Sequence, residues 1–367
     1  MPSPQTHQPP SGPSLGGGCF GRWPWNSFQL KQAREIWEGS PHRSSVVVAV
    51  IDDGFDLNHP ALRNNLWQMP GQPEVHGGDF VDGDNDPSPA VEAQASSHGT
   101  MVAGIIGGRP DLAGRFAGVA PNAELMLLRW RSNQPHEAHA NPLLMAAALR
   151  FAIRHGARIV NLSAGIDTTN KPPQALAVLG RAFKLAETRG VLIVVAAPNT
   201  PWDMDAAYNW LPGVYPFTNI IHVTGHCREL RLLGAWGKKS VDIAAPAEDI
   251  IGPLAGGGYR LGGATSFAAP LVTGALALVW GLLPQLQADQ VRRLILRKAA
   301  TKGDPNSRAI REHPSDGLRQ FQSHEMWGHE FPARPEGRLD LGFVEEACDR
   351  YWSGRAFPGF FGAGAHK

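Results

Sequence analysis

Residues 44–51 read SSVVVAVI, and beyond the two serines every position is apolar. A strand with one wet face alternates polar and apolar side chains. A run without alternation has to be buried on both faces, which points to an interior strand of a parallel sheet. Four further runs have the same character: ELMLLRW at 124–130, RIVNLS at 158–163, VLIVVAA at 191–197 and NIIHVTG at 219–225. Stretches with helical spacing accompany them at 27–39, 142–156, 173–190, 266–283 and 287–300. Strands alternating with helices imply an α/β fold, a three-layer parallel sheet with helices on both faces. With 367 residues, 43% of them hydrophobic, the chain can bury one large core. The division expected is a disordered Pro/Gly/Ser-rich tail at 1–22, one structured domain at 23–350 and a C-terminal tail at 351–367, with the polar stretch 301–336 as a long surface excursion.

In such sheets reactive groups gather where the strands end, and Asp52 and Asn199 both lie at such ends. Two more chemistry-bearing residues open helical stretches: His98, in SSHGTMVAG, and Ser266, in GGATSFAAPLVTG. A serine hydroxyl attacks poorly at neutral pH unless an imidazole takes its proton and a carboxylate holds that imidazole in one tautomer. Asp52, His98 and Ser266 supply those three groups. At a helix start, unpaired N–H groups and the dipole favour negative charge beside Ser266. Pro270 is expected to fall in the first turn, where a missing N–H costs little. Each residue also has an ordinary reading: Ser266 and His98 as helix starts, Asn199 as a turn residue in Pro-Asn-Thr-Pro. Asp53 follows Asp52 directly. Successive side chains on an extended segment point opposite ways, so Asp53 is expected to be a solvated neighbour and Asp56 to belong to the following loop.

The three segments, VVVAVIDDGFDLNHPAL, SSHGTMVAG and GGATSFAAPLVTG, occur in the order Asp, His, Ser. Together with GVAPNAELMLL, ARIVNLSAG, VLIVVAAPN, VDIAAPA and GRLDLGFVEEA they resemble the subtilisin-like serine proteases, the subtilases, over roughly residues 25 to 350. The resemblance implies a subtilisin-like fold and a serine endopeptidase working through an acyl-enzyme. Ser266 would be the nucleophile, His98 the base and then the acid, and Asp52 the group that orients His98. Asn199 would donate to the oxyanion. It also implies that a peptide or protein substrate lies in the cleft as an extended strand, with Ser163, Ala164 and Gly165 facing Ala196, Ala197 and Pro198 across the specificity pocket. Trp210 is placed near the pocket floor, where an indole shortens the pocket and favours small side chains. Asp203 and Asp205 are weighed as attractors of a basic residue against plain loop carboxylates, and the loop reading is preferred.

Three positions depart from the family pattern: Pro198 stands before Asn199 and Ala264 before Thr265 where glycine is usual, and Phe267 follows Ser266 where methionine is frequent. None removes a catalytic group, and Phe267 resists oxidation. Many relatives bind calcium through a carboxylate after His-Pro; here His59-Pro60 is followed by Ala61, and the loop 109–115 offers only Asp111. No cofactor and no metal ligand is therefore expected, and structural calcium is left open without being predicted. The acidic run DFVDGDNDP at 79–87 could suit a hard cation but reads better as a polar surface loop, as do His136 and His139.

Two alternatives accompany the endopeptidase: a peptide ligase or macrocyclase that hands the acyl-enzyme to an amine, and a non-catalytic peptide-binding scaffold. A formal charge of +1 gives no electrostatic case for nucleic acid or an anionic membrane. No apolar run is expected to approach the roughly 18 residues of a membrane helix. Three cysteines (Cys19, Cys227, Cys348) and a start lacking a secretory pattern lead to the expectation of a cytoplasmic protein. About 25 residues precede the matched region, too few for a folded propeptide, and the tail is expected to restrain the cleft.

Overall fold

A computed structural model describes residues 30–40, 43–88, 98–110, 116–131, 141–169, 171–206, 210–211, 215–228, 232–237 and 239–298. The expectations for 1–22, 301–336 and 351–367, and those for Asp111, His136, His139, Cys19 and Cys348, lie outside the described residues.

The elements in chain order are α1 (Leu30–Gly39), β1 (Val47–Asp52), β2 (Gly77–Asp79), α2 (His98–Gly107), β3 (Glu124–Arg129), α3 (Pro142–Arg154), β4 (Ile159–Leu162) and β5 (Ile166–Asp167). There follow α4 (Pro173–Thr188), β6 (Leu192–Ala196), β7 (Trp210–Leu211), β8 (Ile220–His226), β9 (Ile243–Pro246), β10 (Ile250–Pro253), β11 (Tyr259–Gly262), α5 (Thr265–Leu282) and α6 (Ala288–Lys298). Seven strands form one sheet in the order β2-β3-β1-β4-β6-β8-β9. Every pairing in it is parallel.

The unbroken apolar run of β1 is explained by its two faces. Val48 and Val50 enter one core cluster with residues of α2, α5 and α6. Ala49 and Ile51 enter the other, with α3 and α4. The side chains alternate, but both faces are covered, so neither tolerates a polar residue. β6 repeats the arrangement, with Val194 on the first face and Ile193 and Val195 on the second.

Helix α5 corrects one expectation. Its 18 residues are long and apolar enough to cross a membrane by length and composition. Here it is the core helix of the sheet's first face: Phe267 to Leu282 are all buried. A short hairpin, β10 with β11, lies outside the main sheet. His59 ties it to the loop after β1, its Nε2 donating to the Gly258 carbonyl at 3.0 Å while its Nδ1 accepts from Ala61 N.

The acidic stretch after β2 folds onto an internal cation. Arg129, 3% exposed, pairs with Asp79 and Asp82, and Asp79 also accepts from the N–H groups of Val81 and Asp82. Asp205 accepts from Lys239 N, Ser240 N and Ser240 Oγ, so it holds a loop together rather than facing the cleft.

Candidate active site

Asp52 is the last residue of β1 and is fully buried. The chain turns away at Gly54, whose φ of 138° is a conformation that side-chain-bearing residues avoid. Helix α2 starts against this turn. A Cβ on Gly99 would stand 2.4 Å from the Gly54 carbonyl oxygen and 3.1 Å from Asp52 Cβ, so glycine after His98 is what lets the helix come this close. His98 Nδ1 and Asp52 Oδ1 are 2.8 Å apart. An ionised carboxylate only accepts, so Nδ1 carries a proton, and in the neutral ring it is Nε2 that keeps a lone pair. Burial works to raise the Asp52 pKa, but His98, Arg131 and the Asp53 N–H overcome it and hold the carboxyl below its ordinary value. Burial works to lower His98, but the charge of Asp52 and the hydrogen bond to it hold the imidazole above its ordinary value.

Asp53 is not solvated as expected. It is 4% exposed, its Oδ1 accepts from Gly99 N at 3.0 Å, and its Oδ2 lies 3.9 Å from Arg131 Nη2. The strict alternation of a strand stops at the strand's end, where the backbone turns and both carboxylates come round to the start of α2. Asp53 thereby supplies a carboxylate to the unpaired N–H groups and positive dipole end of that helix.

Ser266 is the second residue of α5. The residue preceding the helix, Ala264, is extended and offers no side-chain cap. Ser266 is therefore within the first turn rather than at the cap. The first helical N–H, that of Thr265, donates to Asn199 Oδ1 at 3.0 Å, and the Thr265 hydroxyl lies 2.7 Å from the same oxygen and 2.6 Å from the Ala197 carbonyl. A backbone N–H can only donate, so the atom it meets on Asn199 is the oxygen. The Asn199 amide NH2 is what remains to face the cleft. Pro198 fits because the chain leaves the sheet there: Ala197 N still donates to Val223 O, and the Pro198 carbonyl accepts from Ala235 N at 2.8 Å, leaving no ladder position that needs its missing N–H.

Ser163 turns its hydroxyl toward the helix. It donates to the Ser266 carbonyl at 2.7 Å and accepts from Asn161 Nδ2 at 2.9 Å. Thr273 Oγ1 in turn donates to Asn161 Oδ1 at 2.8 Å. This buried relay fixes the backbone of α5 to the end of β4 at the reactive turn.

A cleft of about 590 Å³ is lined by His98, Ser266 and Asn199, and by all seven residues expected at its walls: Ser163, Ala164, Gly165, Ala196, Ala197, Pro198 and Trp210. Asp52 stands behind His98. Trp210 lies on the wall at Gly165, where a Cβ would come within 2.2 Å of its Cε2 and Nε1. A second depression of about 570 Å³, lined by Leu233, Glu248, Asp249 and Leu261 among others, adjoins the first at Asn199. The cleft also takes in Arg131, Thr200, Trp202 and Thr265, which the sequence reading did not single out. Arg131 carries the one signal that could have found it, its place just past the carboxyl end of an interior strand.

A buried carboxylate behind an imidazole, with a serine at a helix start in the same cleft, defines a serine-hydrolase type of site on a parallel α/β sheet. Comparison with known proteins gives the family. Residues 43–313 match the model of the subtilase family. The chain is 31% identical over 254 residues to the major intracellular serine protease of Bacillus subtilis (strain 168), covering 69% of this chain and 73% of that protein. It is 29% identical to an intracellular serine protease of Paenibacillus polymyxa, covering 73% of this chain and 79% of that protein. Among solved structures, the epidermin leader peptide processing serine protease of Staphylococcus aureus superposes with a TM-score of 0.65 at 19% identity, covering 89% of this chain and 80% of that one. The chain belongs to the subtilase family. It is a serine endopeptidase, acting on peptide or protein substrates.

Proposed function

We propose that Ser266 attacks the peptide carbonyl, that His98 takes its proton through Nε2 and returns it to the leaving amine, and that Asp52 fixes the imidazole tautomer and balances its charge. The N–H of Ser266 and the side-chain amide of Asn199 hold the oxyanion. Water, activated by the same imidazole, then resolves the acyl-enzyme. The observation that carries this assignment is the 2.8 Å contact between His98 Nδ1 and the buried Asp52, in an arrangement that leaves Nε2 facing the cleft shared with Ser266. The substrate runs as an extended strand through the two adjoining depressions, with the bond to be cut between them. Ser163, Ala164 and Gly165 form one wall of the pocket for the residue before that bond; Ala196, Ala197 and Pro198 form the other, and Trp210 shortens it.

Each chemical step is assigned to side chains, backbone and water, so a cofactor has no part in it. A near-neutral chain and a core position for α5 favour neither nucleic acid nor membrane as a partner, and the two relatives named intracellular favour a cytoplasmic location. A fluorophosphonate should label the protein, and Ser266→Ala should abolish both labelling and peptide cleavage; labelling that survives in Ser266→Ala would refute the assignment. Mass analysis of the products separates cleaved from joined peptides, and hydrolysed ends are expected.

A further inference from the structure

Two adjacent carboxylates buried side by side are an unusual arrangement, because each destabilises the charge of the other. Asp52 is fully buried and Asp53 4% exposed, and both reach the start of α2. Among the described residues, the basic side chains paired with them include His98 and Arg131. Arg131 follows Trp130, whose N–H donates to the Asp52 carbonyl at 3.1 Å, so the backbone carrying the guanidinium is stitched to the end of β1. Its Nη2 lies 3.4 Å from Asp52 Oδ1 and 3.9 Å from Asp53 Oδ2. Those separations exceed the 2.7–2.9 Å of a strong charge-assisted hydrogen bond. Coulomb attraction falls only as the inverse of distance, so the charge of Arg131 acts on both carboxylates although its hydrogen bonds are weak.

An imidazole facing two buried carboxylates with no counter-charge would hold its proton to higher pH. A general base has to be unprotonated near the working pH. We propose that Arg131 is a positioning residue of this site: by offsetting Asp53 it keeps the Asp52–His98 pair at a basicity suited to proton transfer. The proposal rests on the reading of His98 as general base. Among the described residues, Arg131 lies within 4 Å of both carboxylates. Helix α5, which places the Phe267 ring 5.5 Å from the His98 ring, carries no ionisable side chain along its length. Burial lowers His98, Asp52 and Asp53 raise it, and Arg131 opposes the two carboxylates.

The test is the pH profile of kcat/KM for Arg131→Met and Arg131→Lys, together with an NMR titration of the His98 ring in the resting enzyme. In Arg131→Met, both the acid limb and the His98 titration should move to higher pH. Activity at about pH 7 should then fall roughly three- to tenfold and recover toward about pH 9. Arg131→Lys, which keeps the charge, should stay near wild type. The proposal is overturned if His98 titrates identically in Arg131→Met and wild type, or if both variants lose the same activity at every pH, as a packing role would give. Should Arg131→Met fail to fold, Arg131→Gln takes its place with the same readouts. Failure of the general-base reading would look different: the wild-type acid limb would not follow the wild-type His98 titration.

Discussion

If Trp210 shortens the pocket as proposed, replacing it with alanine should let the cleft accept phenylalanine before the scissile bond. The indole lies on the Gly165 backbone, with Cε2 and Nε1 2.2 Å and Cζ2 2.4 Å from where a Cβ would stand. Beyond the cleft it packs against a small cluster containing Ala197, Met204, Ala235 and Val241. Fully burying a phenyl side chain stabilises by about 1.5–3 kcal/mol, equivalent to about 10- to 150-fold in kcat/KM. Trp210 is only partly buried, so the space it vacates opens to water, and the lower part of that range applies: about 10- to 30-fold in the ratio of Phe to Ala substrates. The stability cost should be modest. The indole N–H is buried without a hydrogen-bond partner, so truncation removes an unsatisfied donor worth about 1–3 kcal/mol and offsets part of the lost packing. The assay is kcat/KM for matched peptides carrying Ala, Phe or Arg before the cleaved bond, in wild type and variant. A wild-type preference for Phe or Arg would refute the placement of Trp210, as would a variant that gains or loses equally on Ala and Phe.

Other perturbations separate further parts of the molecule. Asn199→Ala should lower kcat about 10²- to 10³-fold with little change in KM, read by steady-state kinetics; Thr265→Val, which removes one of the two donors holding the Asn199 oxygen, should give a smaller loss in the same parameter, and an unchanged kcat would show that Asn199 needs no such anchor. Asp242 is buried, receives Arg292 Nη2 at 2.8 Å and His222 N at 3.0 Å, and is held below its ordinary carboxylate value because the His222 side chain, then Arg292 and the His222 N–H, outweigh burial. Its contribution to stability is thus present above the unfolded-state value of about 3.9 and is lost as pH falls through the lower folded value. Asp242→Asn should cost roughly 1–3 kcal/mol at neutral pH and flatten that acid loss, which thermal melts at several pH values would read.

Much of this could be read from the sequence because it depends on local chemistry. Continuous apolar runs are required wherever both faces of a strand are covered, so β1, β3, β4, β6 and β8 announce themselves. His98 and Ser266 stand at helix starts whose sequences become apolar at once. What could not be read depends on contacts between distant segments. Edge strand β2 is the three residues Gly77–Asp79, too short for any period. The β10–β11 hairpin is shaped by a glycine-rich turn clamped by His59 and by Asp56, which accepts from Gly256 N. Asp53 was misplaced because alternation along β1 was carried one residue past its end. The role of Thr265 was hidden because its partner, Asn199, is 66 positions away.

The starts of α2 and α5 show how function shapes the helix ends. Both helices lie on one face of the sheet and open at its carboxyl edge, so their positive dipole ends point into one cleft. On α2 that end is satisfied by the Asp53 carboxylate. On α5 Ala264 takes the extended conformation of a capping residue, φ −178° and ψ 162°, without a side chain that could cap. A serine at 264 could bond the N–H of the second or third helical residue. The third, Phe267, already donates to the Ala264 carbonyl at 3.0 Å, so the group left to be taken is the N–H of Ser266, the one assigned to the oxyanion. Ala264→Ser should therefore stabilise the fold by about 0.5–1 kcal/mol while lowering kcat roughly tenfold or more at unchanged KM. Melting temperature and steady-state kinetics on the same preparation measure both. A variant that gains stability and keeps its kcat would mean that the Ser266 N–H is not an oxyanion donor, and the missing cap would then need another explanation.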